Sequence, residues 1–248
     1  MLITYNSTIA FIDHITKKND VKMKVVVYTV ILGGYDRLRN HDDLPYDFIA
    51  YIDDTSIVPA NTNWQIRSIP QEYNTNITPK KLSTLLKMIP HKLFPEYDIS
   101  VYIDGKISIN KNIQVLLDLE YDENRLLSNK HPLRQCLYDE ITTLRTIQWE
   151  SPTTCDAVER LFKETHFPKN YGMTDTCMLI RRHNDPYVID LMEENIRLLD
   201  VYNITRHELI FNYVLWKQHK TISVVPFDNY RSKFFTQYPH YKHHYKVK

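Results

Sequence analysis

Apolar positions in this chain alternate between two kinds of run. Val25 to Leu32 is nearly unbroken apolar sequence, and a strand is expected over 23–32. Continuous runs of this kind suit strands covered on both faces. Similar runs predict strands at 47–52, 64–69, 99–103, 125–128, 177–181 and 221–225. Between them the apolar residues recur at helical spacing. Helices are expected at 79–87, 111–119, 133–147, 154–164, 186–199 and 205–218. Thr78 is placed to cap the first of these, with Pro79 at its first turn, and Asp185 to cap the helix at 186. Interleaved strands and helices predict a single α/β domain, Rossmann-like, with a mainly parallel sheet and helices on both faces. Its span is 23–237, between an N-terminal appendage (1–22) and a basic, aromatic tail (238–248).

Candidate chemistry collects where the strands end. The chain has only four glycines. Gly33 and Gly34 follow the first strand, and Gly105 follows Asp104 at the end of the fourth. Glycine there permits a sharp turn or close approach to a ligand, and ligands of open α/β sheets bind at carboxyl strand ends. Asp104 and Lys106 are therefore candidates for a diphosphate, directly or through a metal ion; the plainer reading is a surface ion pair. Asp53 and Asp54 end the second strand. His131 and Arg134 precede a helix and suit an anion, or merely cap it. Arg181 and His183 leave the strand at 177–181, with Asp175 just before it. Thr205 and Glu208 form the pattern of a capping box, which competes with a catalytic role for Glu208, His207 and Arg206. Lys87 closes the first helix. The His- and Tyr-rich tail reads as a solvated end before it reads as a metal or sugar site.

Composition narrows the function classes. The formal net charge is +1, so no bulk field favours nucleic acid or an anionic membrane. No run approaches the roughly 18 apolar residues of a membrane span. Met1 to Ala10 lacks the features of a signal peptide. Cys136, Cys155 and Cys177 read as reduced thiols, which points to the cytoplasm. The sequons at Asn6, Asn76 and Asn203 carry little without secretion. There is no Walker loop, no G-x-G-x-x-G, no nucleophile elbow and no H-E-x-x-H. A nucleotidyltransferase would carry a lysine in the glycine loop, and residues 33–39 have none. A catalytically inactive glycan- or nucleotide-binding protein is the other alternative.

Several segments in order resemble one family. Tyr28 to Asp36 (YTVILGGYD), Pro90 to Pro95 (PHKLFP), Ser100 to Lys106 (SVYIDGK), Ser128 to Cys136 (SNKHPLRQC), Arg181 to Asn184 (RRHN) and Arg206 to Lys217 are similar to a group of GT-A-like glycosyltransferases long known as a domain of unknown function. The group includes plant rhamnogalacturonan galacturonosyltransferases and homologues in bacterial polysaccharide loci. The resemblance covers about residues 24–220. It implies a GT-A-like fold, a UDP-sugar donor, transfer of a hexose or hexuronic acid to a glycan hydroxyl, and retention at the anomeric carbon. It matches Asp104 and Lys106 to an Asp-small-Lys segment, and Arg181 and His183 to an Arg-x-His. Where the family reads Arg-Asp-Gln, this chain reads Arg206-His207-Glu208. On this reading Gly33, Gly34 and Tyr35 cradle the nucleotide, with Asp53 or Asp54 beside it. Asp104 and Lys106 hold the diphosphate with Mn²⁺ or Mg²⁺, or without metal if Lys106 supplies the charge. Arg134 and Arg181 stabilise the leaving group, and Asp175, His207 and Glu208 face the anomeric carbon.

Overall fold

The computed structural model describes residues 23–54, 56–73, 77–119, 125–225 and 233–241. The expected appendage at 1–22, Asn6, Asn76 and the tail from 242, with His243, lie outside these residues.

One sheet of seven strands organises the fold, in the order β3-β2-β1-β4-β7-β6-β8. The strands are β1 (Val25–Ile31), β2 (Asp47–Ile52), β3 (Gln65–Arg67), β4 (Ile99–Ile103), β6 (Leu126–Lys130), β7 (Thr174–Arg181) and β8 (Ser223–Val225). All seven residues of β1 are buried, as its apolar run requires of a central strand. β3 sits at the edge, where Gln65 and Ile66 meet solvent. A separate pair joins β5 (Ile107–Ile109) to β9 (Phe235–Gln237). Neither is among the expected strands: β5 follows the Gly105 turn directly and β9 falls near the expected tail.

The helices are α1 (Pro79–Met88), α2 (Pro90–Leu93), α3 (Gln114–Leu119), α4 (Leu137–Thr146), α5 (Pro152–Glu164), α6 (Pro186–Val201) and α7 (Glu208–Lys217). Thr78 caps α1 by accepting from Lys81 N at 3.4 Å, and Asp185 caps α6 by accepting from Tyr187 N at 2.8 Å. Successive residues of β1 enter opposite cores. Val26, Tyr28 and Val30 pack with α1 and α4 to α7, while Val25, Val27 and Ile31 pack with α3, β5 and Phe235. Helices thus cover both faces, unequally. Among the described residues no helix is long and apolar enough to cross a membrane.

The sheet is mainly parallel, as expected, with one strand reversed. β1, β2, β3 and β4 run parallel, but β7 is antiparallel to both β4 and β6. Apolar pattern fixes that a strand is buried, not which way it runs. The start of β7 therefore lies beside the carboxyl end of β4, with the Asp104 amide donating to the Cys177 carbonyl at 2.9 Å. A register shift between Ser128 and Asn129 interrupts the β6–β7 ladder just there. Such irregularities re-aim side chains, and Asp175 and Thr176 occupy this stretch.

Candidate functional site

A cleft of about 1160 Å³ opens at the carboxyl ends of β1 and β4 and the start of β7. Ten residues singled out in the sequence line it: Gly33, Tyr35, Lys87, Asp104, Lys106, His131, Asp175, Arg206, His207 and Glu208. Gly33 and Gly34 both take positive φ, 68° and 60°, which favours glycine. Gly105 is needed for a different reason. A Cβ there would sit 2.6 Å from Ile31 Cδ1, so glycine lets the loops after β1 and β4 touch.

The floor of the cleft is polar and buried. Lys87 is 3% exposed. Its Nζ lies 3.7 Å from Asp104 Oδ1, donates to Thr176 Oγ1 at 3.3 Å, and stands 4.5 Å above the Tyr102 ring. The Tyr102 hydroxyl donates to Asp104 Oδ1 at 3.0 Å. Thr176 Oγ1 also meets His207 Nε2 and donates to Glu208 Oε1 at 3.1 Å. Burial pushes the His207 imidazole down to about 3, so it is neutral at pH 7. Burial alone would raise the Glu208 carboxyl. Arg206 and Lys87 outweigh it, joined by His207 only once that ring is protonated in acid, and hold Glu208 below the ordinary carboxylate range, so it is ionised at pH 7.

The expected capping box is absent. The residue capping α7 is His207, without a side-chain cap bond. A remote acid takes the role instead: Glu150 Oε1 accepts from Thr205 N at 2.8 Å, Thr205 Oγ1 at 2.6 Å and Arg206 N at 2.7 Å. Glu208 is thereby left to face the cleft. Arg206 lies 3.7 Å from Glu208 and 3.0 Å from the buried Glu140, which also holds Arg134. Nearby, Lys80 stands 4.7 Å from the Trp149 ring.

The opposite end holds a surprise from the tail. His240 bridges Lys106 and Asp36: its Nε2 is 2.9 Å from Lys106 Nζ, and its Nδ1 is 3.0 Å from Asp36 Oδ2. Residues 238–241 are therefore docked along the cleft, which corrects the reading of a solvated end. No local pattern announces this contact, because Asp36 and His240 are 204 residues apart.

Six predicted site residues lie outside the cleft lining. Arg181 is fully buried and donates to the Lys87 carbonyl at 2.8 Å and the Tyr28 hydroxyl at 2.5 Å. His183 is also fully buried, bonded to the Phe94 carbonyl at 2.9 Å, and burial lowers it to about 4. β7 runs against β4, so its carboxyl end, with both residues, lies at the opposite sheet edge, where Arg181 pairs with Ser100 and Leu126. Asp53 accepts from Gly33 N at 2.6 Å and Ser56 Oγ at 2.9 Å, so it braces the glycine loop. Gly34 is buried, and Asp54 is exposed. Arg134 is spent on Glu140. His131 lines the cleft but accepts from the Leu133 and Arg134 amides through Nδ1, and burial lowers its pKa, so it adds no positive charge for an anion.

The residues around Asp104 do not fit a divalent ion. Hard cations need several oxygen ligands. Asp104 instead has an ammonium at 3.7 Å and a phenol already bonded to it. Among the described residues no three His, Cys, Asp or Glu side chains converge on a common point.

Residues 4–240 match the family model of the TOD1/MUCI70, glycosyltransferase-like domain. Alkaline ceramidase TOD1 of Arabidopsis thaliana is 23% identical over 194 residues, covering 65% of this chain and 42% of that protein. The apo structure of the bifunctional glycosyltransferase WbbM superposes with a TM-score of 0.52 at 14% identity, covering 84% of this chain and 40% of the other. Mouse xyloside xylosyltransferase 1, also apo, aligns at a TM-score of 0.48 and 9% identity, covering 82% and 85%. The chain spans less than half the length of the ceramidase and of WbbM. The likeness to WbbM is one of fold, which is GT-A-like.

Proposed function

The chain belongs to the TOD1/MUCI70 glycosyltransferase-like family, and from that premise we propose that it moves a hexose or hexuronic acid from a UDP-sugar to a glycan hydroxyl. One observation carries the reading. A buried ammonium, Lys87, and an ionised buried carboxylate, Glu208, share the floor of a single cleft at the carboxyl edge of the sheet. Glycosyl transfer needs opposite charges side by side. The bond from the anomeric carbon to the diphosphate breaks, and its electron pair leaves on the phosphate oxygen. Lys87 and Lys106 suit that developing negative charge, and fixed charge in a dry site is where catalysis gains most. The sugar becomes positive at the anomeric carbon, which Glu208 and Asp175 suit. The acceptor oxygen bonds to that carbon, and its proton passes to a carboxylate or to the departing phosphate. Lys106 supplies charge that a metal supplies elsewhere, so turnover should persist in excess EDTA.

Amide hydrolysis, raised by the name of the Arabidopsis relative, has one observation behind it: a hydroxyl, an imidazole and a carboxylate meet at Thr176, His207 and Glu208. It fails on access and basicity. Thr176 is fully buried, and His207 at about 3 is too weak a base to activate it.

The test is a thermal-shift series with UDP, GDP, ADP and CMP in EDTA, followed by release of sugar from UDP-sugars. A ligand at a hundredfold excess over its Kd adds about 2.7 kcal/mol of stability. UDP should stabilise most, and Asp104→Asn, which takes the counter-charge from buried Lys87, should lose transfer and lower the melting temperature. Equal stabilisation by GDP sinks the choice of UDP. UDP binding without sugar release marks an inactive binder, and release of fatty acid from a ceramide marks a hydrolase.

A further inference from the structure

We propose that the segment Phe235–Tyr241 builds the diphosphate end of the donor site, with Asp36 and His240 as positioning residues for the Lys106 ammonium. The inference rests on the donor reading given above and goes beyond it, because it assigns roles to two residues, Asp36 and His240, that transfer chemistry alone does not require.

The segment is anchored independently of any ligand. β9 pairs with β5 from Ile107–Gln237 to Ile109–Phe235. The Tyr238 amide donates to the Lys106 carbonyl at 2.8 Å. The Arg37 guanidinium lies 3.9 Å over the Tyr241 ring, and that of Arg39 lies 4.4 Å over Tyr238. The His240 ring leans on Tyr35, with centroids 4.9 Å apart. The backbone of Lys106 and the end of its side chain are thus gripped by the same few residues.

Proton counting fixes how the grip works. An ammonium has only protons to give. The 2.9 Å contact from Lys106 Nζ therefore needs a lone pair on His240 Nε2. The imidazole proton then sits on Nδ1 and is donated to Asp36, whose two oxygens lie 3.1 and 3.0 Å away. Asp36 is 5% exposed and also accepts from the Tyr241 amide at 3.1 Å. A buried carboxylate that selects the tautomer and orientation of an imidazole is a positioning device, like the outer partners that orient ligating histidines. Gly105 makes room for it: a Cβ there would come 3.1 Å from the Asp36 Cβ. One N–H of Lys106 is spent on His240, and two remain for phosphate oxygens. A long side chain that would otherwise lose its freedom on binding is ordered beforehand, and preordering raises affinity. The charges facing His240 are Asp36 and Lys106, and Arg37 and Arg39 stand along the same segment.

The alternative is that the segment obstructs the cleft, and the same experiment decides. UDP and uridine binding are measured by calorimetry in EDTA on the full chain. The proteins are wild type, Lys106→Ala, His240→Ala, His240→Gln and the Lys106→Ala/His240→Ala double variant. Uridine lacks the diphosphate, so it reports damage to the rest of the site. We expect His240→Ala to weaken UDP by about tenfold and leave uridine unchanged, because charge-assisted bonds to phosphate are the strong ones. The double variant should bind no more weakly than Lys106→Ala, since the two residues act as one unit. His240→Gln can accept from Lys106 and donate to Asp36, so it should stay within about twofold of wild type. The inference is overturned by additive losses, by equal losses for UDP and uridine, by a Gln variant as weak as Ala, or by tighter UDP binding in His240→Ala. A wild type that binds neither UDP nor pyrophosphate removes the donor reading itself, and this inference with it.

Discussion

Two arginine–histidine clusters look alike in the sequence and live at opposite edges of the sheet. Arg181 and His183 end β7, and both are fully buried among backbone carbonyls and the Tyr28 hydroxyl. Arg206 and His207 open α7, and both line the cleft. Each contains a histidine that burial holds neutral. The difference lies in the company kept. The Arg206 cluster has carboxylates on two sides, Glu140 and Glu208. The Arg181 guanidinium has instead a carbonyl, a thioether and a phenol that burial pushes up to about 12. A cation solvated by neutral acceptors holds structure together; a cation among ionised groups beside a cleft can exchange partners with a ligand.

The contrast can be broken most sharply at Glu208. Glu208→Gln should lower turnover by about a thousandfold, the scale of a lost charge at the reacting centre. The melting temperature should fall slightly, since the fold favours the ionised carboxylate over its unfolded state and that contribution is lost. A variant that melts early with turnover intact would make Glu208 a structural group. The next largest effect belongs to the other cluster. Arg181→Met removes the guanidinium that donates to both the Lys87 carbonyl and the Tyr28 hydroxyl, leaving only the 2.7 Å bond from that hydroxyl to that carbonyl. It should cost about 3 kcal/mol in urea unfolding while UDP affinity below the transition is kept. Arg206→Met should do the reverse, because Arg134 still neutralises Glu140.

The smallest effect is on pH dependence, where the clusters should agree. Burial lowers the folded-state pKa of His183 to about 4 and of His207 to about 3. The unfolded chain titrates near the ordinary value of about 6.5, so as pH falls it takes up protons before the folded state does. Each histidine therefore contributes stability that is present above about pH 6.5 and lost as pH falls through the folded values. The slope reaches at most about 1.4 kcal/mol per pH unit per histidine. Urea midpoints between pH 7 and 4.5 should show it, and His183→Gln or His207→Gln should each flatten the slope, with His41, His91 and His131, which burial also lowers, supplying the rest.

These clusters also show what the sequence made legible. β2 and β4 coincide with the expected strands at 47–52 and 99–103, because strands covered on both faces read as mostly apolar runs. Thr78 and Asp185 cap as their positions implied. Asp104, Lys106, Lys87 and Glu208 stand out as candidates by type and by place at element ends, and all four line the cleft. Strand direction was not legible, since β7 reads the same either way, and its reversal puts Arg181 and His183 at the opposite sheet edge. The capping pattern at Thr205 was local and misleading, because a residue 55 positions away, Glu150, took the bonds. Asp36 and His240 carried no joint signal at all.

The docked segment 235–241 also has a meaning in time. A nascent chain emerges from its amino end, and local units can order as they appear. The strands from β1 to β8, and the helices between them, have all been made by residue 225. β5 must still wait for β9, and Asp36 for His240. The Lys106 end of the cleft is thus finished last, by closure of the longest loops in the molecule, which is the slow step in assembling non-local contacts. During synthesis the scaffold is complete before the site is, and an unfinished chain of this kind is a folded body without a working donor end.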